Sequence, residues 1–357
     1  MRVEVINGRE VDASLQATWR AIQADNPLLA GPYFSVQYTL LAAEVRDDVC
    51  VAVVEDEGEV IGLLPFQRTF GRVGRPVSGP MSDYQAFICR PHVPFRPREI
   101  VRGCGLDRFE FDHLVAAQSQ FGHFHRSVHP SPIIDLSRGF EAYLSERQDA
   151  GSRNAKKIRR MARVLERDVG PVRYEHHTTS QAAFHQVVAW KRQQCHMTGT
   201  PDLFGHAWAV ELLERIHASQ HPDFAGVLST LRVGDRLAAG HMGMRSATVW
   251  HYWFPSYNRE LHSFSPGLVL LFDMAEEAPG LGIQYIDLGK GESQYKDRLK
   301  NGEILVAEGR VALPSVTTFV TEVSERSADF IRRTPLVVPA RVGGKYLRKA
   351  RRWADYR

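Results

Sequence analysis

Cysteine is scarce in this sequence. The 357 residues include only Cys50, Cys89, Cys104 and Cys195, and no two of them form a C-x-x-C pair. This spacing argues against a disulfide scaffold and against a zinc site built from thiolates. Reduced thiols are instead typical of a cytoplasmic protein.

Long apolar runs are absent as well. No stretch approaches the ~18 apolar residues that a membrane-spanning helix needs, and the opening residues 1–5 lack the apolar segment of a signal peptide. A composition of 43% hydrophobic and 24% charged residues is typical of a soluble globular protein. We therefore expect a cytoplasmic protein, and its length predicts two domains.

A metal-binding cluster is also missing from the sequence. His123, His125 and His129 stand close together, but no carboxylate or cysteine joins them at ligand spacing. The sequence therefore predicts no metal site.

Positive charge is present but unevenly distributed. The net charge is only +4, yet the segment 153–167 combines many cations with the single anion Glu166. A helix there would pack one apolar stripe and expose its cations. That surface is either an ordinary solvated face or a groove for phosphates, as in a nucleotide-linked sugar, a phospholipid carrier or a tRNA. The cations are Arg153, Lys156, Lys157, Arg159, Arg160, Arg163 and Arg167.

A second basic segment covers 341–357, where Tyr346, Ala350 and Trp353 align along one helical face. Such a tail either contacts the inner face of a membrane peripherally or is a basic terminus that packs on a domain.

Apolar periodicity predicts helices and strands mixed in two successive blocks. In the first block, β-branched runs at 50–55 and 60–66 flank a turn and predict a hairpin. In the second, helical patterns at 140–148, 153–167, 181–195 and 207–219 precede a three-strand meander within 227–254. The fold class is therefore α+β, with layers built around two cores.

The segment 251–300 holds the strongest candidate site. Ser265 suits a helix N-cap and Pro266 the first helical position, so the following amides would point unpaired at an anionic or acyl-bearing ligand. Asp287 ends a buried strand beside a glycine-lined mouth, where a carboxylate can act as a base, and Lys296 follows it. The alternative is that Asp287 caps a loop and Lys296 is a surface cation.

The aromatic strand 250–254 is mostly core by composition. Strict alternation would place His251 and Trp253 on one face and Trp250, Tyr252 and Phe254 on the other. One of these faces is free for a ligand.

Several motifs in a fixed order resemble the GNAT superfamily of acyltransferases. They are the tyrosine-containing strand, Ser265-Pro266-Gly267, Asp287-Leu288-Gly289 and Tyr295-Lys296, preceded by Gly79-Pro80-Met81-Ser82-Asp83-Tyr84, Trp190-Lys191-Arg192-Gln193-Gln194 and the segment 198–204. The pattern is similar to two-domain proteins of the Fem type, especially the CelD-like branch associated with polysaccharide synthesis.

The resemblance implies two tandem GNAT-like domains, each a mixed sheet flanked by helices. Residues 1–138 would form a degenerate domain, 139–320 the acyltransferase domain and 321–357 a basic helical tail, with the active groove between the domains. Asp287 and Lys296 would be catalytic, with Tyr252 or Tyr257 as proton donor. Donor-binding residues would be Ser265, Gly267 and Leu268, and acceptor-binding residues Asp83, Tyr84, Lys191 and Gln194.

The implied activity is N-acyl transfer, with acyl-CoA as co-substrate, to an amino group of a cell-envelope polysaccharide or peptidoglycan-type precursor. Two departures leave alternatives open. The segment 258–267 reads NRELHSFSPG and lacks the glycine-rich pyrophosphate loop of acetyl-CoA users, and no long helical hairpin of the Fem type is visible. The alternatives are aminoacyl transfer from tRNA and a non-catalytic accessory role beside a polysaccharide synthase.

Overall fold

The computed structural model describes residues 1–291 and 293–314. The basic tail predicted at 321–357 lies outside the described residues. Within the described part, no helix is long and apolar enough to cross a membrane.

The first half of the chain combines a hairpin with short helices. Its elements are β1 (Arg2–Asn7), α1 (Ala13–Ala24), α2 (Val36–Val45), β2 (Val49–Asp56), β3 (Glu59–Thr69), β4 (Val73–Arg75), β5 (Ile88–Cys89), α3 (Pro97–Gly103), β6 (Arg108–Val115) and β7 (His125–Asp135). Short 3-10 turns cover Gly8–Glu10, Pro27–Leu29, Pro32–Phe34, Gly79–Met81 and Ser119–Phe124.

The second half begins with helices and continues as a meander. Its elements are α4 (Phe140–Asp149), α5 (Asn154–Val169), β8 (Val172–Glu175), α6 (Gln181–Thr198), α7 (Ala207–Ala218), β9 (Gln220–His221), β10 (Phe224–Val233), β11 (Arg236–Arg245), β12 (Val249–Tyr257), α8 (Pro266–Glu277), β13 (Tyr285–Asp287), α9 (Gln294–Leu299) and β14 (Gly302–Ala312). Further 3-10 turns cover Leu203–Gly205, Arg259–Phe264 and Ala278–Leu281.

The strands form one continuous sheet that runs through both halves. Its order is β1-β2-β3-β4-β6-β14-β7-β13-β12-β11-β10-β8, with β5 beside β3 and β9 beside β10. The late strand β14 lies between β6 and β7 of the first half and pairs antiparallel with both. The division of the chain at 138/139 stays a prediction.

Three hydrophobic cores cover the two faces of this sheet. One core joins the halves: it unites Trp19 and Leu41 of α1 and α2 with Phe184 and Leu212 of α6 and α7. A second core packs α5 and α8 on the other face of β10 to β12, and a third lies under α3 in the first half. Burying each large apolar side chain contributes about 1.5–3 kcal/mol, so the joint core holds the two halves together beside the site described below.

The structure confirms the α+β class, and most elements fall within a few residues of their sequence predictions. Three helices were not predicted: α2, α3 and α9. Six of the ten residues of α2 are buried and only Glu44 is exposed, so its sequence lacks the contrast between two faces on which a periodicity prediction depends. At six residues, α9 is too short for any period to show.

Candidate active site

The candidate site lies where β12 and β13 separate. These strands pair in parallel from Val249 with Tyr285 to His251 with Asp287, where β13 ends. Strand β12 continues to Tyr257, paired with β11 on its other edge. Separation of the two strands therefore leaves an open edge of β12 that starts at the His251–Asp287 pair.

Asp287 is a buried carboxylate, one oxygen of which already accepts two hydrogen bonds. It is 3% exposed, and its Oδ1 accepts the Ser131 hydroxyl at 3.1 Å and the Gly289 amide at 2.6 Å. The His251 Nδ1 lies 3.7 Å from the same oxygen. This environment suits a group that orients His251 better than one that contacts a substrate directly.

His251 links the two halves of the chain. Its Nε2 lies 3.0 Å from Oδ2 of Asp83, although 168 residues separate them in the sequence. Because the carboxylate of Asp83 only accepts hydrogen bonds when ionised, His251 Nε2 is the donor. The imidazole, itself 1% exposed, thus lies between two carboxylates, one from each half.

Asp83 is the member of the cluster that faces open space, with 28% of its side chain exposed. Burial by itself would raise its pKa. The hydrogen bond and charge of His251 outweigh burial, with further help from His113 and Lys296, so the pKa of Asp83 is lowered. Asp83 is therefore an ionised acceptor at neutral pH.

Gln85 explains why Asp83 stands where it does. Its side-chain oxygen accepts the amides of Asp112 and His113, and its side-chain nitrogen donates to the Ser82 carbonyl. The backbone of Gln85 also pairs with that of β6. Side-chain and backbone hydrogen bonds of Gln85 therefore attach the loop that carries Asp83 to β6 around residues 112–113.

Two tyrosines of the first half pack around the same group. Tyr33 meets the His251 ring edge-on with ring centroids 5.0 Å apart, and Tyr84 meets it at 6.4 Å. Burial raises the pKa of both phenols well above the usual range. The charge of Asp287 acts in the same direction on both, and that of Asp83 does so on Tyr33. Both phenols therefore stay protonated.

Two lysines complete the cluster. Lys296 of α9 donates to the carbonyl of Gly289 at 2.8 Å, and burial lowers its pKa although Asp83 and Asp287 oppose the shift. Lys191 of α6 also has a lowered pKa because of burial, opposed in part by Asp83. Gly289 has φ +74°, and a Cβ there would lie 3.5 Å from Oδ2 of Asp83, so this position suits glycine.

Four predicted site residues therefore meet here: Asp83, Tyr84, Asp287 and Lys296, with Lys191 close enough to respond to Asp83. Gln194 is exposed on α6 and, in the part of the chain that the structure describes, makes no side-chain hydrogen bond with the cluster. Its predicted role in acceptor binding stays a prediction.

Tyr252 lies on the opposite face of β12, contrary to its predicted place in the site. It is 5% exposed, belongs to the core under α8, and stacks on His241 with ring centroids 4.5 Å apart. The predicted alternation also fails at Phe254, which stacks on Trp253. A register shift between β11 and β12 at Met242/Met244 accounts for this change of face.

The start of α8 differs from its prediction. Ser265 has φ 51° and ψ 52°, and its side chain makes no capping hydrogen bond. The amides of Leu268 and Val269 donate to the Ser265 carbonyl at 2.9 and 3.3 Å. The sequence predicted that the amides of Gly267, Leu268 and Val269 would be unpaired. Of these three, only the amide of Gly267 lacks a bond to the Ser265 carbonyl, because the chain tightens into a 3-10 turn here.

The cationic surface of α5 is exposed as predicted. Ile158 and Leu165 are buried, whereas Lys156, Lys157 and Arg160 are exposed. The side chain of Asn154, at the start of α5, donates to the carbonyl of Arg298 in α9 at 2.9 Å. One end of this cationic surface therefore adjoins the helix that carries Lys296.

His251 was missed as a functional residue because it stands within an aromatic strand that is largely core. A signal was available: alternation placed His251 on the face of that strand opposite Tyr252, and one of the two faces was predicted to be free for a ligand. What the sequence did not show was the pair of carboxylates that meets it there.

Residues 152–297 match the family model described as an acetyltransferase (GNAT) domain. This span includes His251, Asp287, Lys296 and Lys191 but not Asp83. No curated protein sequence matches the chain.

Solved structures of similar shape extend over most of the chain. The structure of FemX has a TM-score of 0.56 at 11% identity and covers 90% of this chain and 100% of its own. L-PGS from Bacillus licheniformis has a TM-score of 0.51 at 11% identity, covering 88% and 96%. A tandem GNAT protein from the clavulanic acid biosynthesis pathway has a TM-score of 0.50 at 12% identity, covering 88% and 100%.

At such low identity these likenesses show the fold alone. With the domain match, they establish a tandem GNAT architecture of mixed sheets flanked by helices, as the motifs implied. The sequence match to a GNAT-type acetyltransferase domain lies within the second half of the chain.

Proposed function

We propose that this protein is an N-acyltransferase that transfers an acyl group from an activated donor, acyl-CoA, to an amino group of a cell-envelope polysaccharide or peptidoglycan-type precursor. The observation that carries the proposal is the Asp83–His251–Asp287 group beside Lys296, placed where β12 and β13 separate in a GNAT domain. The CelD-like resemblance supports the acceptor class.

Asp83 is the group that would receive the acceptor, because it is the exposed carboxylate of the cluster. An ammonium group would pair with it, lose a proton to the Asp83–His251 pair and attack the donor carbonyl as a free amine. Asp287 would hold the His251 ring in place. Tyr84, with its hydroxyl protonated, and Lys191 would line the acceptor side.

Lys296 would stabilise the negative oxygen that forms on the donor carbonyl, since its ammonium lies beside Gly289 at the open edge of β12. The start of α8 is too distant for this task. Gly267 lies next to Tyr257, and Tyr257 is about 20 Å along β12 from His251 at ~3.3 Å per residue.

The donor would therefore lie extended along the open edge of β12. Its acyl end would meet His251, and its phosphates would reach the α8 start at Ser265, Gly267 and Leu268, where the free amide of Gly267 and the helix dipole favour an anion. The cationic face of α5 would add further positive charge near the donor.

The donor is identified by thermal unfolding of the purified protein with acyl-CoAs, free CoA, and deacylated or charged tRNA. A ligand at a hundred times its dissociation constant adds about 2.7 kcal/mol of stability. Stabilisation by an acyl-CoA supports the proposal. Stabilisation by none of these ligands would favour the accessory role beside a polysaccharide synthase.

Asp287→Asn then tests the site itself. We expect turnover to be lost while the fold is kept, because the amide has nearly the same shape but cannot balance a charged imidazole. Asp297→Asn is the matched control: this exposed carboxylate lies on α9 and pairs with Lys300 at 3.6 Å. Full activity in Asp287→Asn would contradict the proposed role.

A second candidate function is aminoacyl transfer from tRNA. The specific observation in its favour is the exposed cationic face of α5, whose end adjoins α9. It predicts binding of charged tRNA that weakens steeply with salt and with the paired change Lys156→Ala and Lys157→Ala.

A further inference from the structure

Carboxylates and imidazoles alternate along a line that starts at the buried Asp287 and ends on β6. His251 lies 3.7 Å from Asp287 and 3.0 Å from Asp83. Beyond Asp83, His113 Nε2 lies 3.9 Å from Oδ1, and His113 Nδ1 lies 3.0 Å from Oδ1 of Asp112. Three carboxylates and two imidazoles thus form one continuous line.

Asp83 is the branch point of this line. Its Oδ2 faces His251 and its Oδ1 faces His113. The His251 branch is closed, because it ends at Asp287, which Ser131 and Gly289 already engage in the interior. The His113 branch leads outward, because the side chain of Asp112 is 26% exposed.

We propose that His113 is the proton outlet of the site, carrying the proton of the acceptor amine from Asp83 to Asp112 and on to solvent. A bound acceptor would cover the exposed side of Asp83, so a proton held there would need another way out. His113 is the imidazole on that side of the carboxylate.

The transfer balances without any further reactant. The acceptor ammonium loses one proton to Asp83 and becomes an amine, whose lone pair forms the new bond to the acyl carbon. Asp83 passes the proton through one bridging water across the 3.9 Å gap to Nε2 of His113, and the proton on Nδ1 leaves to Asp112 and then to water. Proton exchange with water restores the Nδ1–H tautomer of His113 before the next turnover. The remaining proton lost from the attacking nitrogen goes to the leaving group, so each turnover releases one proton through His113.

The charged groups around His113 are held in place by the surrounding elements. Asp112 lies on the same strand, and its side chain also accepts from Gln85 at 3.1 Å. Lys290, from the loop after β13, donates to the Asp112 carbonyl and to Glu308 of β14. Facing His251 are Asp83 and Asp287, whereas His241 lies on the opposite face of β12. A rigid frame of this kind suits repeated proton transfer along one path.

This inference rests on the proposed acyl transfer for its purpose, but its first test needs no substrate. Histidine side-chain resonances are followed by NMR against pH in the full-length protein, assigned with His251→Asn, and compared with His113→Asn. We expect the plot of His251 chemical shift against pH to change in His113→Asn, because both imidazoles face the same carboxylate, Asp83. His221→Asn, an exposed position on β9, should leave the curve unchanged.

Superimposable His251 curves in the native protein and in a folded His113→Asn would overturn the relay. If His113→Asn does not fold, Asp112→Asn changes the outer end of the same branch. Unchanged His113 and His251 resonances in Asp112→Asn would also overturn the relay. Coupled curves support the relay whether or not a donor is found.

A kinetic test follows once a donor binds. We expect His113→Asn to lower kcat several-fold and change the pH dependence of kcat, while KM stays the same, because the residue moves protons and does not hold the substrate. A change in KM alone would show that His113 only shapes the site. A native pH profile in His113→Asn would contradict the relay.

Discussion

Two buried histidines on adjoining strands, His251 and His241, have opposite chemistry. They are 1% and 0% exposed, so burial does not distinguish them. His251 lies between Asp83 and Asp287 and joins the cleft. His241 faces the core under α8, and burial lowers its pKa well below the usual range. The comparison teaches that equal burial can give imidazoles very different partners, and the proposed proton chemistry of His251 depends on its two carboxylates.

His241 has a structural role. Its Nε2 accepts the backbone N–H of Trp253 at 3.0 Å, at the point where the register between β11 and β12 shifts. Gly243 makes room for the ring, because a Cβ there would lie 2.4 Å from His241 Cε1. His241 thus helps to set the course of β12, the strand from which His251 extends into the candidate site.

His251→Asn should give the largest effect. We expect acyl transfer to fall by about 10²–10⁴-fold with little change in fold, because a general acid–base group contributes that much. The measurement is single-turnover transfer with the donor that stabilises the protein. Activity close to native would show that His251, like His241, has only a structural role. His221→Asn is the control.

Gly243→Ala should be next. The new methyl group would meet both the His241 ring and the carbonyl oxygen of His251, each at 2.4 Å, and overpacking of this kind costs about 1–3 kcal/mol or more. Urea unfolding measures the loss. Gly122→Ala is the matched control, since nothing lies within 4 Å of its added Cβ; equal stability of the two variants would contradict the tight fit.

His241→Leu should lower the free energy of unfolding by about 1–3 kcal/mol, because the buried amide of Trp253 loses its acceptor. Urea unfolding is again the measurement, with His221→Leu as the exposed counterpart. A variant as stable as the native protein would mean that the register shift needs no imidazole.

The pH dependence of stability gives the smallest and most specific effect. Because burial depresses the pKa of His241 in the folded state, its contribution is fully present above the unfolded pKa of ~6.5 and is lost as pH falls below that value. We expect the native protein to lose stability on acidification from pH 7, and His241→Leu to lose less. Parallel curves for the two proteins would assign the slope to other groups.

The sequence predicted most elements and five members of the cluster, with Lys191 predicted through the family resemblance. Asp287 and Lys296 followed from local pattern, because a strand end beside glycines presents its side chains. Asp83 and Tyr84 were predicted through the family resemblance. His251 and His113 were missed, since nothing near either residue in the sequence indicates which carboxylates it will meet.

The periodicity of apolar residues determined by itself the α+β class and most of the helices and strands in the described part of this chain, since such patterns are local and depend on which face is buried. The site depended on tertiary structure. Asp83 and His251 meet only because the joint core packs the two halves together, and Tyr252 faces away from the cleft because of its place on β12. Proton chemistry needs atoms within about 3 Å, and contacts at that range between distant parts of a chain are set by packing.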